Sequence, residues 1–369
     1  MELEFSADQE ELRNSIRSVL ESTCPIGLVR EVVEKGTGVE RLWATQVELD
    51  WPALTVPSSC GGIGLGYLEL TVLAEELGRS IAPGPLFATV SQFVPLVREC
   101  GSEEQQAGLL AAVATGERTG TVAVAEAGGG WDLSKITASA EKDGNNWRLR
   151  GTKRWVLDGD RADEIAVIAR RADNGELAVF VVPGTDLPAS AMKALDGSRP
   201  LAAVELDGCL VPAKRCLEGT EEGIRRAYEE ATVAMAVETV GTCQSIFDIA
   251  LQYAKDRQQF GVPIGTFQAV KHKFADMLVA VERARALAYF AAATIAEDDE
   301  RRPLAVAMAK AASGDCQELL AQEGIQCLGG IGYTWEHDMH LYVKRAKTNG
   351  ALLGGRAAHR ERVAELIGL

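Results

Sequence analysis

Residues 252–268 read QYAKDRQQFGVPIGTFQ, and the segments on either side of this stretch are the most informative about the architecture. The Ala-rich run 227–258 contains no proline and predicts one long helix. Pro263 is expected to end that helix, and helical spacing resumes over 267–297. A third apolar run, 304–328, ends at two glycines. Because these helical segments follow one another, we predict that the C-terminal part of the chain is a helical bundle.

The sequence upstream of this bundle divides into two further regions. Apolar residues such as Phe5, Leu12 and Ile16 recur at helical spacing near the N-terminus. Short apolar runs separated by Gly, Asp, Asn and Pro then predict strands at 119–125, 147–150, 164–169, 177–182 and 202–206. We therefore predict an α+β fold with an N-terminal helical domain (1–117), a central small antiparallel β-barrel or sandwich (118–217) and a C-terminal helical bundle (218–369).

Charge and composition exclude several classes of protein. The chain has 369 residues, of which 47% are hydrophobic and 25% charged, so it is long and apolar enough to bury a large core. Its net charge of −15 disfavours nucleic acid and anionic membranes as partners. No run of about 18 uncharged apolar residues predicts a membrane span.

Cysteine and histidine spacing predicts no metal site. The eight Cys form no CxxC pair, and no His lies near them at zinc spacing. His337 and His340 are three residues apart, but Trp335 and Glu336 beside them favour a packing and hydrogen-bonding cluster. Scattered thiols without a signal-peptide pattern predict a reduced, cytoplasmic protein.

Four motifs, in order, carry a resemblance to one enzyme family. The stretch 252–268 contains R-x-x-F-G followed by P-I-x-x-F-Q, and residues 326–333 read QCLGGIGY. Residues 57–66 read PSSCGGIGLG, and residues 126–133 read EAGGGWDL. Together they resemble the acyl-CoA dehydrogenase family over essentially the whole chain, although each motif alone is a weak signal.

The resemblance implies FAD as cofactor, an oligomer and a set of cofactor-binding residues. In the family, the R-x-x-F segment and the G-G-x-G turn bind FAD across a subunit interface. The corresponding residues here are Arg257, Phe260, Gln268, Gln326, Gly329, Gly330, Gly332 and, packing on the flavin, Trp155.

Elementary chemistry fits these assignments but leaves alternatives open. Arg257 can pair with a pyrophosphate, or it is a solvated cation that suits a helix end. Gly329 and Gly330 allow a close backbone approach to a phosphate, or they form a plain C-cap turn. Trp155 either packs on a flavin ring or belongs to an ordinary core.

The general base is where the sequence departs from the family. The reaction implied by the resemblance is oxidation of an acyl-CoA at Cα–Cβ to the trans-2-enoyl-CoA, in which a carboxylate removes the α proton. Leu353 occupies the position of the usual Glu, and Ala231 occupies the position used by a minority of the family.

Two carboxylates near Ala231 are alternative bases. Glu230 would point about 100° away from Ala231, whereas Glu238 lies two turns further on about the same face. Glu238 is our candidate catalytic base. The alternatives are a structural carboxylate paired with a neighbouring helix and a contact to a polar substrate tail.

Several positions that bind flavin in the family also differ. Ala125, Trp131 and Leu157 replace a Thr, a Ser and a Thr, and Gly355 replaces the Thr after the usual Glu. Losing three or four hydrogen bonds of about 1 kcal/mol each would weaken FAD binding by two to three orders of magnitude.

Two functional hypotheses follow from these observations. The first is an FAD-dependent acyl-CoA dehydrogenase of fatty acid or steroid side-chain degradation, which has an atypical or missing base and passes electrons to an electron-transfer flavoprotein. The second is a non-catalytic partner subunit of a heteromeric acyl-CoA dehydrogenase. A flavin oxidase or monooxygenase on the same fold is a third, weaker alternative.

Overall fold

The computed structural model describes residues 5–369. Its α-helices share good helix formers and few interior prolines. They are α1 (Ala7–Thr23), α2 (Ile26–Lys35), α3 (Val39–Glu48), α4 (Tyr67–Arg79), α5 (Leu86–Ala88), α6 (Val94–Cys100), α7 (Glu103–Ala114), α8 (Glu221–Asp256), α9 (Gln268–Ala296), α10 (Arg302–Leu328), α11 (Met339–Ala351) and α12 (Arg356–Leu366). A π-helical turn, Thr89–Phe93, joins α5 to α6.

The strands fall mainly between α7 and α8. They are β1 (Gly120–Ala123), β2 (Ser139–Asp143), β3 (Asn146–Arg150), β4 (Thr152–Leu157), β5 (Glu164–Arg171), β6 (Leu177–Pro183), β7 (Ala189–Met192), β8 (Leu201–Glu205), β9 (Leu210–Pro212), β10 (Gln258–Gln259) and β11 (Val262–Pro263). The predicted order of helical, β and helical regions is confirmed, and all five predicted strands are present. The domain limits 1–117, 118–217 and 218–369 stay a prediction.

Compactness divides the chain into two units. One unit contains Tyr67–Ala82 and Thr232–Leu369 together with the N-terminal segment through Glu34. The other contains Lys35–Gly66 and Pro83–Ala231. We call the first the helical unit and the second the β unit.

The helical unit begins at a well-capped helix and is built on close helix crossings. The Ser6 hydroxyl accepts from the Gln9 backbone N–H, and the Gln9 side chain accepts from the Ser6 backbone N–H, so the two residues form a capping box. Helix α4 crosses α8 through Gly78 and Gly241, where a Cβ atom would lie 2.1 Å from the Glu238 carbonyl oxygen and 2.0 Å from the Glu75 carbonyl oxygen, respectively. Both glycines are therefore required by packing.

The β unit contains two sheets rather than one barrel. The larger sheet has the order β1-β5-β2-β3-β9, with β6 also paired to β5, and the smaller has the order β4-β8-β7. Most pairings are antiparallel, as predicted. The β1–β5 and β2–β5 pairings are parallel, however, so the larger sheet is mixed and the predicted antiparallel arrangement does not extend to these positions. Both β1 and β2 reach β5 through long intervening segments, and such connections permit parallel pairing.

Candidate cofactor and catalytic site

A tight hairpin follows α8 within the R-x-x-F-G motif. Gln258 and Gln259 pair with Pro263 and Val262, and the two residues between the strands, Phe260 and Gly261, have φ of 53° and 80°. Two consecutive positive φ angles characterise the two-residue hairpin turns that match strand twist. The helix therefore ends at Asp256, and the prediction that Pro263 ends it was wrong because the hairpin turns the chain first.

This Phe260 hairpin, comprising residues 257–268, exposes the side chains that the motif singled out. The Phe260 side chain is 93% exposed and meets the edge of the Phe267 ring at a centroid distance of 6.1 Å. Arg257 and Gln268 are exposed, and neither side chain forms a hydrogen bond or ion pair with another residue in the range 5–369. Their donors are therefore available to a ligand.

The glycine turn after α10 is open on one side and packed on the other. Gly329 has φ 65° and is the C-cap of α10, so the C-cap interpretation is correct for its backbone. A Cβ at Gly329 or Gly330 would nevertheless meet no atom within 4 Å, whereas one at Gly332 would meet Leu328 at 3.1 Å. The first two glycines therefore face open space and can also admit a ligand, while Gly332 serves packing.

The Phe260 hairpin and the glycine turn border the same hydrophobic core. Ala254 and Ile264, on either side of the hairpin strands, share a cluster with Ile325 and Leu328 at the end of α10. Gln326 lies between those two residues and is exposed. The helical unit thus brings its predicted cofactor residues to two segments supported by one core.

Trp155 lies on a strained bulge in the β unit. The β4–β8 register shifts between Lys153 and Val156, and Trp155 within the bulge has φ 54°. Positive φ is rare for a bulky residue, and bulges redirect side chains. The indole is half-buried, with the Arg154 guanidinium 5.9 Å from its ring, so Trp155 is not an ordinary core residue.

A buried ion pair next to this bulge was not predicted from the sequence. Lys153 is fully buried, and its ammonium donates to Glu126 at 2.7 Å and to the Val124 carbonyl at 2.9 Å. Burial alone would raise the pKa of Glu126, but hydrogen bonds from Lys153, Thr137 and Ala138 outweigh it and hold that pKa at about 2. Burial lowers the pKa of Lys153 to about 8 against the attraction of Glu126.

This pair anchors the glycine-rich loop that begins at Glu126. The loop borders a cleft of about 600 Å³. Its Trp131 carbonyl accepts a hydrogen bond from the Tyr228 hydroxyl at 3.1 Å, so the loop is held at both ends. Two features of the sequence could have indicated this ion pair. They are the glycine-rich run after Glu126 and the position of Lys153 in a strand-like segment.

Glu238 is fully buried within a cluster of polar side chains. Its carboxylate accepts from the Arg345 guanidinium at 3.1 Å and from the Asn349 amide at 3.1 Å. Arg345 also donates to the carbonyls of Ile81 and Ala82, each at 3.2 Å. The ammonium of Lys310 donates to the Asn349 carbonyl at 2.6 Å. We call Glu238, Lys310, Arg345 and Asn349 the buried polar cluster.

The contacts of Glu238 favour the structural alternative left open by the sequence. A carboxylate that accepts from an arginine and an amide on α11 is already committed to a neighbouring helix. Glu230 is also engaged, because the Arg98 guanidinium contacts both of its oxygens, at 2.6 and 2.7 Å. Ala231 is buried and offers no acid. The role of Glu238 as a base remains a prediction.

Leu353 lies in a turn with positive φ angles and carries no acid. Leu353 has φ 57° and Gly354 has φ 92°, and the Leu353 side chain is buried. The His359 imidazole binds the Leu353 carbonyl at 2.9 Å. Burial lowers the pKa of His359 to about 4, so the ring is neutral at pH 7 and its Nε2–H donates this bond.

Residues 5–369 offer neither a metal cluster nor a membrane span. No group of three His, Cys, Asp or Glu residues in this range is arranged to hold a metal ion. Among the same residues, no helix is long and apolar enough to cross a membrane.

Three family models together match most of the chain. The N-terminal domain of acyl-CoA dehydrogenases matches residues 6–117, the middle domain matches 121–209 and the C-terminal domain matches 222–368. These matches define an oxidoreductase of the acyl-CoA dehydrogenase type, and the chain belongs to the acyl-CoA dehydrogenase family.

Two relatives span most of this chain. The mitochondrial short-chain specific acyl-CoA dehydrogenase of Sus scrofa is 30% identical over 81% of this chain and 76% of its own length. Acyl-CoA dehydrogenase FadE34 of Mycobacterium tuberculosis is 33% identical over 98% of this chain. The match covers only 48% of FadE34, so this chain corresponds to about half of that protein.

Solved structures with the same fold include heteromeric enzymes. The ChsE4-ChsE5 complex from Mycobacterium tuberculosis has a chain with a TM-score of 0.92 and 26% identity, and both chains are covered completely. A variant of the Tcur3481-Tcur3483 steroid acyl-CoA dehydrogenase has a TM-score of 0.89 and 30% identity, covering 98% of this chain and 97% of that one.

Proposed function

We propose that this chain takes part in FAD-dependent oxidation of an acyl-CoA thioester at Cα–Cβ to the trans-2-enoyl-CoA. Family membership supports an oxidoreductase acting on acyl-CoA. The observation that supports FAD as the cofactor is the pair of exposed segments in the helical unit. Arg257, Gln268 and Gln326 present donors without partners in the described chain, and Gly329 and Gly330 face open space.

These side chains have the chemistry to hold a dinucleotide. Arg257 would pair with the pyrophosphate through charge-assisted hydrogen bonds, and the amides of Gln268 and Gln326 can donate to and accept from polar groups. Phe260 supplies an exposed apolar face, and Trp155 is a separate candidate in the β unit. Bound FAD would supply the acceptor for the hydride that leaves Cβ.

The departures from the family pattern weaken the site without abolishing it. Ala125 and Leu157 are buried and carry no hydroxyl, so two hydrogen bonds to flavin are lost. Trp131, in place of Ser, packs against the β-unit core. We therefore expect this chain alone to bind FAD more weakly than a family member that retains these groups.

The α proton needs a carboxylate, and none of the three positions considered is free to act. Leu353 cannot accept a proton, Ala231 cannot either, and Glu238 is engaged by Arg345 and Asn349. An acyl-CoA dehydrogenase with an atypical base is our main proposal. These contacts give specific support to the second candidate, a partner subunit whose sister chain carries the acid.

Two of the related structures support a heteromeric assembly as a proposal. The ChsE4-ChsE5 and Tcur3481-Tcur3483 enzymes each combine two chains by name. We propose that this chain forms a homo- or hetero-oligomer, acts on acyl-CoA, and passes electrons to an electron-transfer flavoprotein in the cytoplasm. The steroid substrate named for the second enzyme belongs to that protein and extends here only as one candidate substrate class.

Flavin content tests the proposal directly. The chain is expressed alone and with a similar sister chain, and FAD per subunit is measured with the visible spectrum, before and after adding an acyl-CoA. Flavin that bleaches in the chain alone supports catalysis with an atypical base. Flavin that appears and bleaches only with the sister chain supports the partner subunit. No flavin in either preparation contradicts both.

A further inference from the structure

Side chains of two other helices donate hydrogen bonds to carbonyl groups of the turn that carries Leu353. Lys310 on α10 donates to the Asn349 carbonyl, and His359 on α12 donates to the Leu353 carbonyl. Asn349 lies in the last turn of α11, where carbonyls have no intrahelical partner. We propose that Lys310 and His359 are positioning residues that fix residues 349–355, and that protonation of Lys310 loosens this hold.

The shape of the turn explains why it has to be held. Leu353 has φ 57°, a backbone conformation that residues other than Gly, Asn and Asp rarely adopt. Such backbone strain persists only where the surrounding structure imposes it. Glycine at position 354 leaves room for the His359 ring, because a Cβ there would lie 2.9 Å from the His359 Nε2. The backbone at Leu353 is thus defined by its neighbours rather than by its own preference.

Lys310 is buried at a position that disfavours its charged form. Its side chain is 1% exposed, and burial lowers its pKa to about 7 against the attraction of Glu238. Lys310 interacts electrostatically with Glu238 on α8 and His359 on α12, and Glu238 is itself paired with Arg345 on α11. Because burial lowers the pKa of His359 to about 4, this ring stays neutral above about pH 5 and does not titrate together with Lys310.

The direction of the pH effect follows from linkage. An opening of the turn that lets water reach Lys310 restores its ordinary, higher pKa, so the open form binds more protons. Raising the pH from 6 to 9 therefore favours the closed turn. The neutral amine still donates to the Asn349 carbonyl and carries no buried charge.

Amide hydrogen exchange on the full chain tests this proposal. After correction for intrinsic rates, we expect protection of peptides covering residues 349–355 to rise at least about tenfold between pH 6 and 9. Lys310→Met should remove this dependence and raise exchange about tenfold at pH 9, because a carbonyl loses its donor. His359→Phe should also raise exchange of the turn, and His359→Gln, which keeps a donor, should restore protection.

Controls separate positioning from general loss of structure. Lys271→Met removes an exposed lysine of α9 and should change nothing in the turn. Peptides from α7 report global unfolding, and Lys310→Gln serves if the Met variant does not fold. Wild-type protection that is independent of pH, or an equal rise of exchange in α7, would overturn the proposal.

The functional meaning of the hold rests on the proposed function, because residue 353 matters only if acyl-CoA binds beside it. The two failures are distinguishable. A chain whose flavin never responds to acyl-CoA contradicts the proposed function and leaves the exchange result standing. An intact flavin response with an unprotected turn contradicts the positioning role alone.

Discussion

The Phe260 hairpin and the buried polar cluster belong to the same helical unit, but they treat polar groups in opposite ways. In the hairpin, Arg257 and Gln268 are exposed and have no partner within residues 5–369. In the cluster, Glu238 and Arg345 are fully buried and hydrogen-bonded to each other and to neighbouring helices.

This difference separates residues kept for a ligand from residues kept for the fold. Exposed donors without partners cost nothing in the free protein and are available on binding. Buried charges are stable only when they are paired, so their removal is expected to damage the structure before it affects chemistry. The experiments below test this difference between buried and exposed groups.

The largest expected effect is on stability, at Glu238. Glu238→Ala leaves Arg345 charged and buried, and we expect it to lower the free energy of unfolding by about 3–5 kcal/mol. Urea unfolding measures this loss. The double variant Glu238→Ala, Arg345→Met should recover part of it, since no unpaired charge remains.

The same residue can distinguish a structural acid from a base. If Glu238 acts on substrate, Glu238→Gln abolishes acyl-CoA reduction of the flavin while the urea midpoint stays unchanged. Our expectation is the reverse, a lower midpoint with residual reduction in the molecules that fold. A stable and inactive Gln variant would restore Glu238 as the catalytic base.

The next effect compares the same Gly→Ala substitution at the buried α4–α8 crossing and in the open glycine turn after α10. Gly241→Ala places a Cβ about 2.0 Å from the Glu75 carbonyl oxygen, and we expect a cost of about 3 kcal/mol or more because neither backbone can yield. Gly330→Ala meets no atom within 4 Å, so its stability should change by less than about 0.5 kcal/mol.

Gly330→Ala should instead weaken FAD binding, since the new methyl group occupies the open side of the turn. Thermal melts of both variants, with and without added FAD, measure the two effects together. If Gly330→Ala binds FAD like the wild type, the open turn is only the C-cap of α10.

The fold class was predictable because its signals are local. The change from period 3.6 to period 2, the glycines and the prolines each act within a few residues, and the helices and strands appear near their expected limits. The parallel pairing of β1 with β5 was missed, since sheet order depends on contacts between distant segments. The hairpin end of α8 was missed because Phe260 takes a φ that its side chain does not favour.

The site was predictable only where motifs are contiguous. Arg257, Phe260 and the glycines came from short matched segments. Glu238 attracted attention as a carboxylate in an apolar run, but its partner Arg345 lies more than 100 residues away. Lys153 and Lys310 were missed for the same reason, because a buried lysine cannot be recognised until the group that holds it is known.

A smaller effect, on binding alone, is expected at Arg257. Arg257→Gln removes a charge with no partner in the described chain, so stability should stay within about 0.5 kcal/mol. Loss of a charge-assisted bond to a phosphate should raise the Kd for FAD about 10- to 100-fold. Lys255→Gln, an exposed cation two residues earlier, is the matched control. Equal weakening by both variants would mean that Arg257 contributes only general charge.

The smallest effect concerns the acid limb of stability and extends the comparison to the β unit. Glu126 is buried, like Glu238. Unlike Glu238, it also lines a cleft, so it combines features of both regions. Its pKa is held at about 2, below the 4.5 of an ordinary Glu, so the folded state binds fewer protons than the unfolded state between these values. The stability that Glu126 contributes is therefore fully present above about pH 4.5 and is lost as the pH falls towards 2.

Urea midpoints measured from pH 6 down to pH 3 test this linkage. Glu126→Gln should show a flatter decline than the wild type, whereas Glu141→Gln, an exposed acid of β2, should decline in parallel with it. A parallel decline of Glu126→Gln would mean that Lys153 and the Thr137 segment do not hold the carboxylate in solution. The loop from Glu126 to Trp131 would then lack the anchor that we infer for it.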